Sequence, residues 1–322
     1  MTSALIVRPS SLGDIVHALP IVHDLRRHRP GIAIDWVVEE PFVELVRLNR
    51  GVRRIIPVAL RRWRHRLLAR STWQQLAAFR RDLARERYDA VIDLQEQVKG
   101  ALLAWFARGP VHGPDRRSVR EPVVTLLYRH RHPIDPQQHL IDRCRALAGS
   151  AFDYEPSGAP HFDLDAPPLA GVPDSPYAVF MHATSRDDKL WPEEHWKTLL
   201  EHVVNAGFTV VLPWGEPAEK ARSERIAQGA RNSVIPPRSE LAELASLLAR
   251  ATWAVGVDTG LTHLAAALGT PTVAIFTATD PRLAGVAPAS PLARDLGGNG
   301  TVPTPARVIA ALGPLVRAVP SC

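Results

Sequence analysis

The order of apolar segments in this 322-residue chain predicts an α/β fold of two doubly wound, Rossmann-like parallel-sheet domains. Three observations carry that prediction. Short β-branched runs alternate with longer helical stretches in both halves, at a spacing that implies parallel sheets covered on both faces. The stretch 149–176, rich in Pro, Gly, Ser and Asp, interrupts the alternation midway and reads as a linker. The length itself suits two domains of ordinary size.

In the first half the strand candidates are residues 4–8, 33–38, 54–58 and 90–94, with helical segments 15–28 and 72–87 between them. In the second half they are 177–181, 208–212, 233–235, 253–257 and 272–276. Gly269 ends a short apolar helix just ahead of the last of these. The domains are then 1–160 and 161–322, and the final helix is free to pack back on the first. Ligands of such sheets sit beyond the carboxyl ends of the strands, so two facing domains predict a site in the interdomain cleft.

Bulk composition narrows the function classes. Hydrophobic content of 46% with 22% charged residues is that of a soluble globular protein. The two cysteines, Cys144 and Cys322, support neither a disulfide framework nor a paired-cysteine metal site, which points to a cytoplasmic location. The apolar run near the N-terminus is too short for a signal-peptide core, and nowhere do 18 apolar residues follow one another. A net charge of +6 favours an anionic partner: nucleic acid, an acidic lipid surface or a phosphorylated small molecule.

Four stretches carry candidate chemistry. In RPSSLGDIVHALP (8–20) a strand runs through Ser11 and Gly13 into a helix start, whose free N–H groups suit an anion. Asp14 there either caps the helix or serves as a general base. In FMHATSRDDKLWPEEHW (180–196) Thr184, Ser185 and Lys189 follow a strand end and suit a diphosphate, although Lys189 can equally pair with Asp187 or Asp188. In GVDTGLTHLAAALGTPTVAIF (256–276) Asp258, Thr259 and Gly260 open a helix, and His263 lies about one turn further in. The second and third stretches follow strands of one sheet, so they converge on one anion site. The fourth, RRIIPVALRRWRHRLLAR (53–70), is a basic cluster suited to a polyanionic acceptor or membrane surface. No recognisable nucleic-acid module accompanies it, no HxxxH or paired His-carboxylate stands at ligand spacing on a likely strand, and the one DxD, at 163–165, lies in the linker.

SSLGD, VIDLQ (91–95), HATSRDDKLWPEEHW, LPWG (212–215) and VDTGLTHLAAALGTPTVAIF together resemble the bacterial lipopolysaccharide heptosyltransferases of glycosyltransferase family nine. The likeness runs through residues 4–285, and WVVEE (36–40) and IPVALRRWR (56–64) lean toward the heptosyltransferase I branch rather than the heptosyltransferase II branch. It implies a GT-B fold, with an acceptor domain first and a nucleotide-sugar domain second. It also implies metal-independent, inverting transfer of L-glycero-D-manno-heptose from ADP-heptose to the Kdo of Kdo-lipid A. It further implies that no cofactor and no nucleic acid take part, and that the protein works peripherally on the cytoplasmic face of the inner membrane.

The resemblance assigns Asp14 as base and Lys189 as catalytic cation, with Ser11, Gly13, Thr184 and Ser185 on the donor side. The family more often carries Thr where Ser185 stands, and either hydroxyl can donate. Asp258, Thr259, Gly260 and His263 match the nucleotide-side loop. Glu219 matches a ribose-holding carboxylate, with Glu216 close enough to compete. Arg61, Arg62, Arg64, Arg120 and Arg143 match the acceptor-binding face. A nucleotide-sugar epimerase on the same fold leaves the arginine cluster without a role. A basic, non-enzymatic binding protein leaves Asp14, Lys189 and His263 without one.

Overall fold

The computed structural model describes residues 2–66, 68–168 and 175–317. The chain divides into two compact units, Met1–Asp165 and Ala166–Cys322. The first contains β1 (Ser3–Val7), α1 (Leu12–Ala18), α2 (Pro20–His28), β2 (Ala33–Glu39), α3 (Val43–Arg47), β3 (Arg54–Val58) and α4 (Leu60–Trp63). It continues with α5 (Arg70–Leu83), β4 (Ala90–Asp93), α6 (Val98–Phe106), β5 (Val111–Pro114), β6 (His130–His132) and α7 (Leu140–Phe152). The second unit opens with β7 (Tyr177–Met181), α8 (Glu193–Asn205), β8 (Thr209–Val211), α9 (Pro217–Ala227), β9 (Ser233–Val234) and α10 (Leu241–Arg250). It closes with β10 (Trp253–Val257), α11 (Gly260–Ala267), β11 (Thr272–Phe276), α12 (Pro281–Ala284), β12 (Ala293–Gly297) and α13 (Pro305–Arg317).

Each unit is a parallel six-stranded sheet, ordered β3-β2-β1-β4-β5-β6 and β12-β11-β10-β7-β8-β9. Counted from its own first strand, each sheet has the order 3-2-1-4-5-6, the doubly wound arrangement of dinucleotide-binding folds. The order reverses between β1 and β4 in the first unit and between β7 and β10 in the second. At that reversal the flanking connections leave to opposite faces and open a crevice at the carboxyl ends of the strands.

The strands that meet at these reversals are wholly buried, as a sheet covered on both faces requires. In the second unit Trp191, Trp196 and Trp253 pack around Phe180, and α13 adds Val308 and Leu312 to the same core. That helix lies on α8 and β11 of its own unit.

Three strands escaped the sequence reading. β6 and β12 are sheet edges, β6 largely exposed and β12 only partly buried, and need no apolar run. β5 is buried, but with Gly113 in it: a Cβ there would stand 2.2 Å from the Tyr128 ring, so the aromatic takes the place of a branched side chain. The single helix expected over 15–28 begins earlier, at Leu12, and divides at Pro20, which has no N–H to continue the ladder. The helix expected over 72–87 spans Arg70–Leu83.

The expected linker is shorter than its composition suggested. α7 runs on to Phe152, and residues 162–165 are fastened to the first unit. Asn49 Nδ2 donates to the Phe162 carbonyl at 2.8 Å, Leu164 bridges Asn49, and Asp165 N–H donates to the Leu48 carbonyl at 2.9 Å. The first unit therefore closes after Asp165 rather than after residue 160. Residues 169–174 of that linker lie outside the described residues.

A buried ion pair ties α2 to α7. Arg145 Nε and Nη2 reach the two oxygens of Asp24 at 2.7 and 3.1 Å, and the guanidinium also donates to the carbonyls of Ser157 and Gly158. Removing one partner of such a pair strands the other charge in a dry interior. Arg145→Leu is expected to cost about 3–5 kcal/mol of stability, measured by urea unfolding; a loss below about 1 kcal/mol would show that Asp24 is rehydrated instead.

Candidate active site

In the first unit the polar groups gather where β1 and β4 end. Arg8 leaves β1 almost fully buried; one guanidinium nitrogen donates to the Leu94 carbonyl and another lies 2.9 Å from Asp14 Oδ1. The second carboxylate oxygen of Asp14 accepts from the Ser11 backbone N–H and hydroxyl, each at 2.9 Å. Asp14 thus caps α1, in which Gly13 also lies, and pairs with Arg8 at once. Burial works against its ionisation, but Arg8 and the Ser11 hydrogen bonds prevail and hold the carboxyl below the ordinary aspartate value.

A cavity of about 670 Å³ opens beside this turn. Ser10, Glu39 and Lys99 form its polar wall, Leu60, Trp63, Trp73 and Leu76 its apolar wall, and Arg61 and Arg64 also line it. Lys99 Nζ lies 3.2 Å from Ser10 Oγ, so the turn that carries Asp14 also supplies the cavity wall. Burial and the neighbouring Arg61 lower the Lys99 ammonium, while burial raises Glu39 against the pull of Arg61.

The other basic candidates are placed differently. Arg62 pairs with Glu40 at 2.8 Å on the surface. Arg143 and the backbone N–H of Arg120 converge on Glu96, at 2.9 and 3.2 Å.

The second unit gathers its charges where β7, β10 and β11 end. Lys189 Nζ lies 2.7 Å from Asp258 Oδ2, and Thr279 Oγ1 donates to the same oxygen at 2.6 Å. His263 Nε2 is 3.5 Å from the other oxygen, and Thr184 Oγ1 donates to the Asp258 carbonyl at 3.1 Å. Burial again opposes ionisation, and the hydrogen bonds from His263, Lys189 and Thr279 overcome it, holding Asp258 far below its ordinary value. Thr259 stands at the N-terminal boundary of α11, whose first turn starts at Gly260, and its carbonyl accepts from the Thr262 N–H at 3.0 Å. Gly269, at φ +83°, closes that helix: its N–H reaches the Ala266 carbonyl and that of Thr270 reaches Ala265.

The sequence left Lys189 a choice of partners, and neither suggested aspartate holds it: Asp188 pairs with Arg186 instead. Ser185 is exposed on the same loop. Glu219 lies in α9, where its carboxylate accepts from the backbone N–H groups of Gly215 and Glu216 at 2.7 and 3.1 Å. Sequence reading passed over Arg8, Glu39, Lys99 and Thr279. Arg8, Glu39 and Thr279 follow or close a strand, so the carboxyl-edge rule applied to every strand would have found them, whereas Lys99 lies in the first turn of α6 and carries no such signal.

The arrangement can hold anions in two places. Lys189 with the amides of α11 suits a diphosphate, and Arg61, Arg64 and Lys99 around an aromatic cavity suit an acidic, partly apolar molecule. Asp14 is a fixed, ionised carboxylate beside the second of these.

Known proteins resemble this chain in sequence and in fold. The family model of glycosyltransferase family 9 (heptosyltransferase) matches residues 76–308. Lipopolysaccharide heptosyltransferase 1 of Escherichia coli (strain K12) is 43% identical over 289 residues, covering 87% of this chain and 89% of that protein. The enzyme of the same name from Pseudomonas aeruginosa is 44% identical over 287 residues, covering 87% and 80%. Among solved structures, E. coli heptosyltransferase WaaC with ADP superposes with a TM-score of 0.90 at 38% identity, covering 98% of this chain and 100% of that one. The fold is accordingly of the GT-B type.

The depressed Asp258 carboxyl links stability to pH. Its contribution is fully present above the ordinary aspartate value of 3.8 and fades as pH falls below that toward the folded-state value. Asp258→Asn should therefore melt below the wild type at pH 7, with the gap narrowing below about pH 4. Thermal melts across that range test this, and a gap that stays constant into acid would mean the carboxylate charge is not what stabilises the loop.

Proposed function

The chain belongs to glycosyltransferase family 9, the heptosyltransferases, and on that premise we propose that it moves L-glycero-D-manno-heptose from ADP-heptose to the Kdo of Kdo-lipid A, in the lipopolysaccharide inner core. The first unit takes the acceptor and the second the nucleotide sugar. The reading rests above all on the equivalent placement of opposite charges: an ionised carboxylate, Asp14, at the switch point of one sheet and a cation, Lys189, at that of the other.

The transfer forms a bond from an acceptor hydroxyl oxygen to the anomeric carbon and breaks the bond from that carbon to the ADP oxygen, with inversion. Asp14 takes the hydroxyl proton. Its lowered pKa leaves it ionised at neutral pH, and the hydroxyl turns acidic enough to yield its proton as the new bond forms. ADP departs with an added negative charge. Lys189 and the backbone amides opening α11 meet that charge as preorganised donors, with Thr184 and Ser185 on the diphosphate and Glu219 toward the ribose. Asp258 and His263 fix the position of the Lys189 ammonium. Arg61 and Arg64, which line the cavity, receive the acceptor's carboxylates and phosphates. Arg62 and Arg143, paired with Glu40 and Glu96 in the structure, would join them by exchanging those carboxylates for the acceptor's, and Arg120, whose backbone N–H meets Glu96, would join through its side chain. The acceptor is a lipid, so the enzyme works at the cytoplasmic face of the inner membrane.

Calorimetry with ADP, UDP and GDP, followed by transfer assays from ADP-heptose to Kdo-lipid A, tests the reading; a protein that binds ADP but transfers no heptose would refute it. Within that assay Asp14→Ala is expected to lose about 100–10,000-fold in turnover while ADP binding stays near wild type. Lys189→Ala should lose about 100–1,000-fold in rate together with donor affinity, and unchanged ADP-heptose kinetics would remove Lys189 from the site.

A further inference from the structure

α6 carries an apolar stripe that nothing in its own unit covers. Val98, Leu102 and Trp105 recur at i, i+4 and i+7, one face of a helix, and all three are exposed, Trp105 by 56%. The 3-10 turn over 122–127 packs alongside and continues the face. With three residues per turn, Val124 and Leu127 point into the core while Val123 and Leu126 point out, Leu126 with 77% of its surface exposed. Five of the exposed large apolar side chains among the described residues thus share one surface, far more than scattered exposure produces.

The same segment holds most of the protein's charge excess. Residues 98–132 contain seven Lys and Arg against two Asp and Glu, a surplus of five in a chain whose net charge is +6. Arg131 donates to the Thr125 carbonyl on the apolar turn, and Arg80 stacks over the Phe106 ring at the end of α6. Arg129 and Arg131 are exposed beside that turn. An apolar stripe rimmed by cations matches the depth profile of an anionic bilayer, where apolar side chains enter the acyl boundary and guanidinium groups stay at the headgroups. The surplus of five positive charges favours an anionic surface over a neutral protein face.

We propose that the exposed face of α6 and the 122–127 turn docks this protein on an anionic lipid bilayer. Among the described residues no helix is long and apolar enough to cross a membrane. The next row round α6 carries Lys99, which reaches Ser10 in the wall of the 670 Å³ cavity. The helix that enters the lipid surface therefore also lines the cavity assigned above to the acceptor. That this bilayer is the one bearing the acceptor rests on the functional reading; the docking itself needs no substrate.

Co-sedimentation with phosphatidylglycerol-containing vesicles, against pure phosphatidylcholine vesicles, measures it. The wild type is expected to bind the anionic vesicles, to bind phosphatidylcholine weakly, and to be released by high salt. Leu102→Asp/Trp105→Asp, both at exposed positions, should lower anionic-vesicle partition about tenfold or more. Leu283→Asp, an exposed apolar site on the second unit, should not change it. Turnover with a water-soluble, deacylated acceptor should be the same for the double variant and the wild type. Equal vesicle binding by the double variant and the wild type would overturn the proposal. So would a wild-type dimer that ignores vesicles and that the double variant dissolves into monomers, since the face would then join two copies. Absent heptose transfer with intact vesicle binding would instead refute the functional reading and leave the docking surface standing.

Discussion

A parallel sheet covered on both faces has only its two ends at which to keep charge, and that constraint organises both halves of this protein. The strands at the centre of each sheet are apolar and wholly buried, so every ionised group they carry is pushed to where a strand stops. At the carboxyl ends this produces Arg8 with Asp14, and Lys189 with Asp258. An exception shows what charge inside a sheet demands. Asp35 in β2 is fully buried, and it takes Arg53, Arg54 and the Tyr88 hydroxyl together to satisfy its carboxylate.

The two edge carboxylates are alike in being kept ionised and unlike in how. Asp14 leans on one guanidinium and on the backbone it caps, and keeps a third of its side chain exposed, which is the position of a group that must meet a substrate. Asp258 is enclosed by a lysine, a hydroxyl and an imidazole from three different elements. It acts as a clasp that joins the loops after β7, β10 and β11. In the proposed reaction the first gives up its solitude to a proton, and the second never changes charge. Lys189 is then held in place by one anion while it faces another, so its position costs no reorganisation when the leaving group gathers charge.

Much of this was legible before any coordinates. Runs such as ALIV and WAVGV name buried strands, the turn after each names an anion-facing helix start, and the similarity of SSLGD and VDTGLTHLAAALGT to family nine names the chemistry. Less legible were elements whose neighbours do the work of their own side chains. β5 reads as VHGP because the Tyr128 ring fills the place over Gly113, and the edge strands β6 and β12 read as polar because one side of each is solvent. The acid partner of Lys189 was hidden for a similar reason: proximity along the chain offers Asp187 and Asp188, whereas adjacency of β7 and β10 brings Asp258 from 69 residues away.

The sequence by itself determined the α/β class, the division into two sheets and the stretches that carry chemistry, since each follows from local periodicity and from residue types at strand ends. Only the tertiary structure decided which charges meet, that residues 162–165 belong with the first unit, that Lys99 and Glu39 line a cavity with Arg61, and that the α6 stripe stays uncovered. Those facts depend on strands and helices remote in sequence packing side by side, and no run of neighbouring residues records which remote partner it will have.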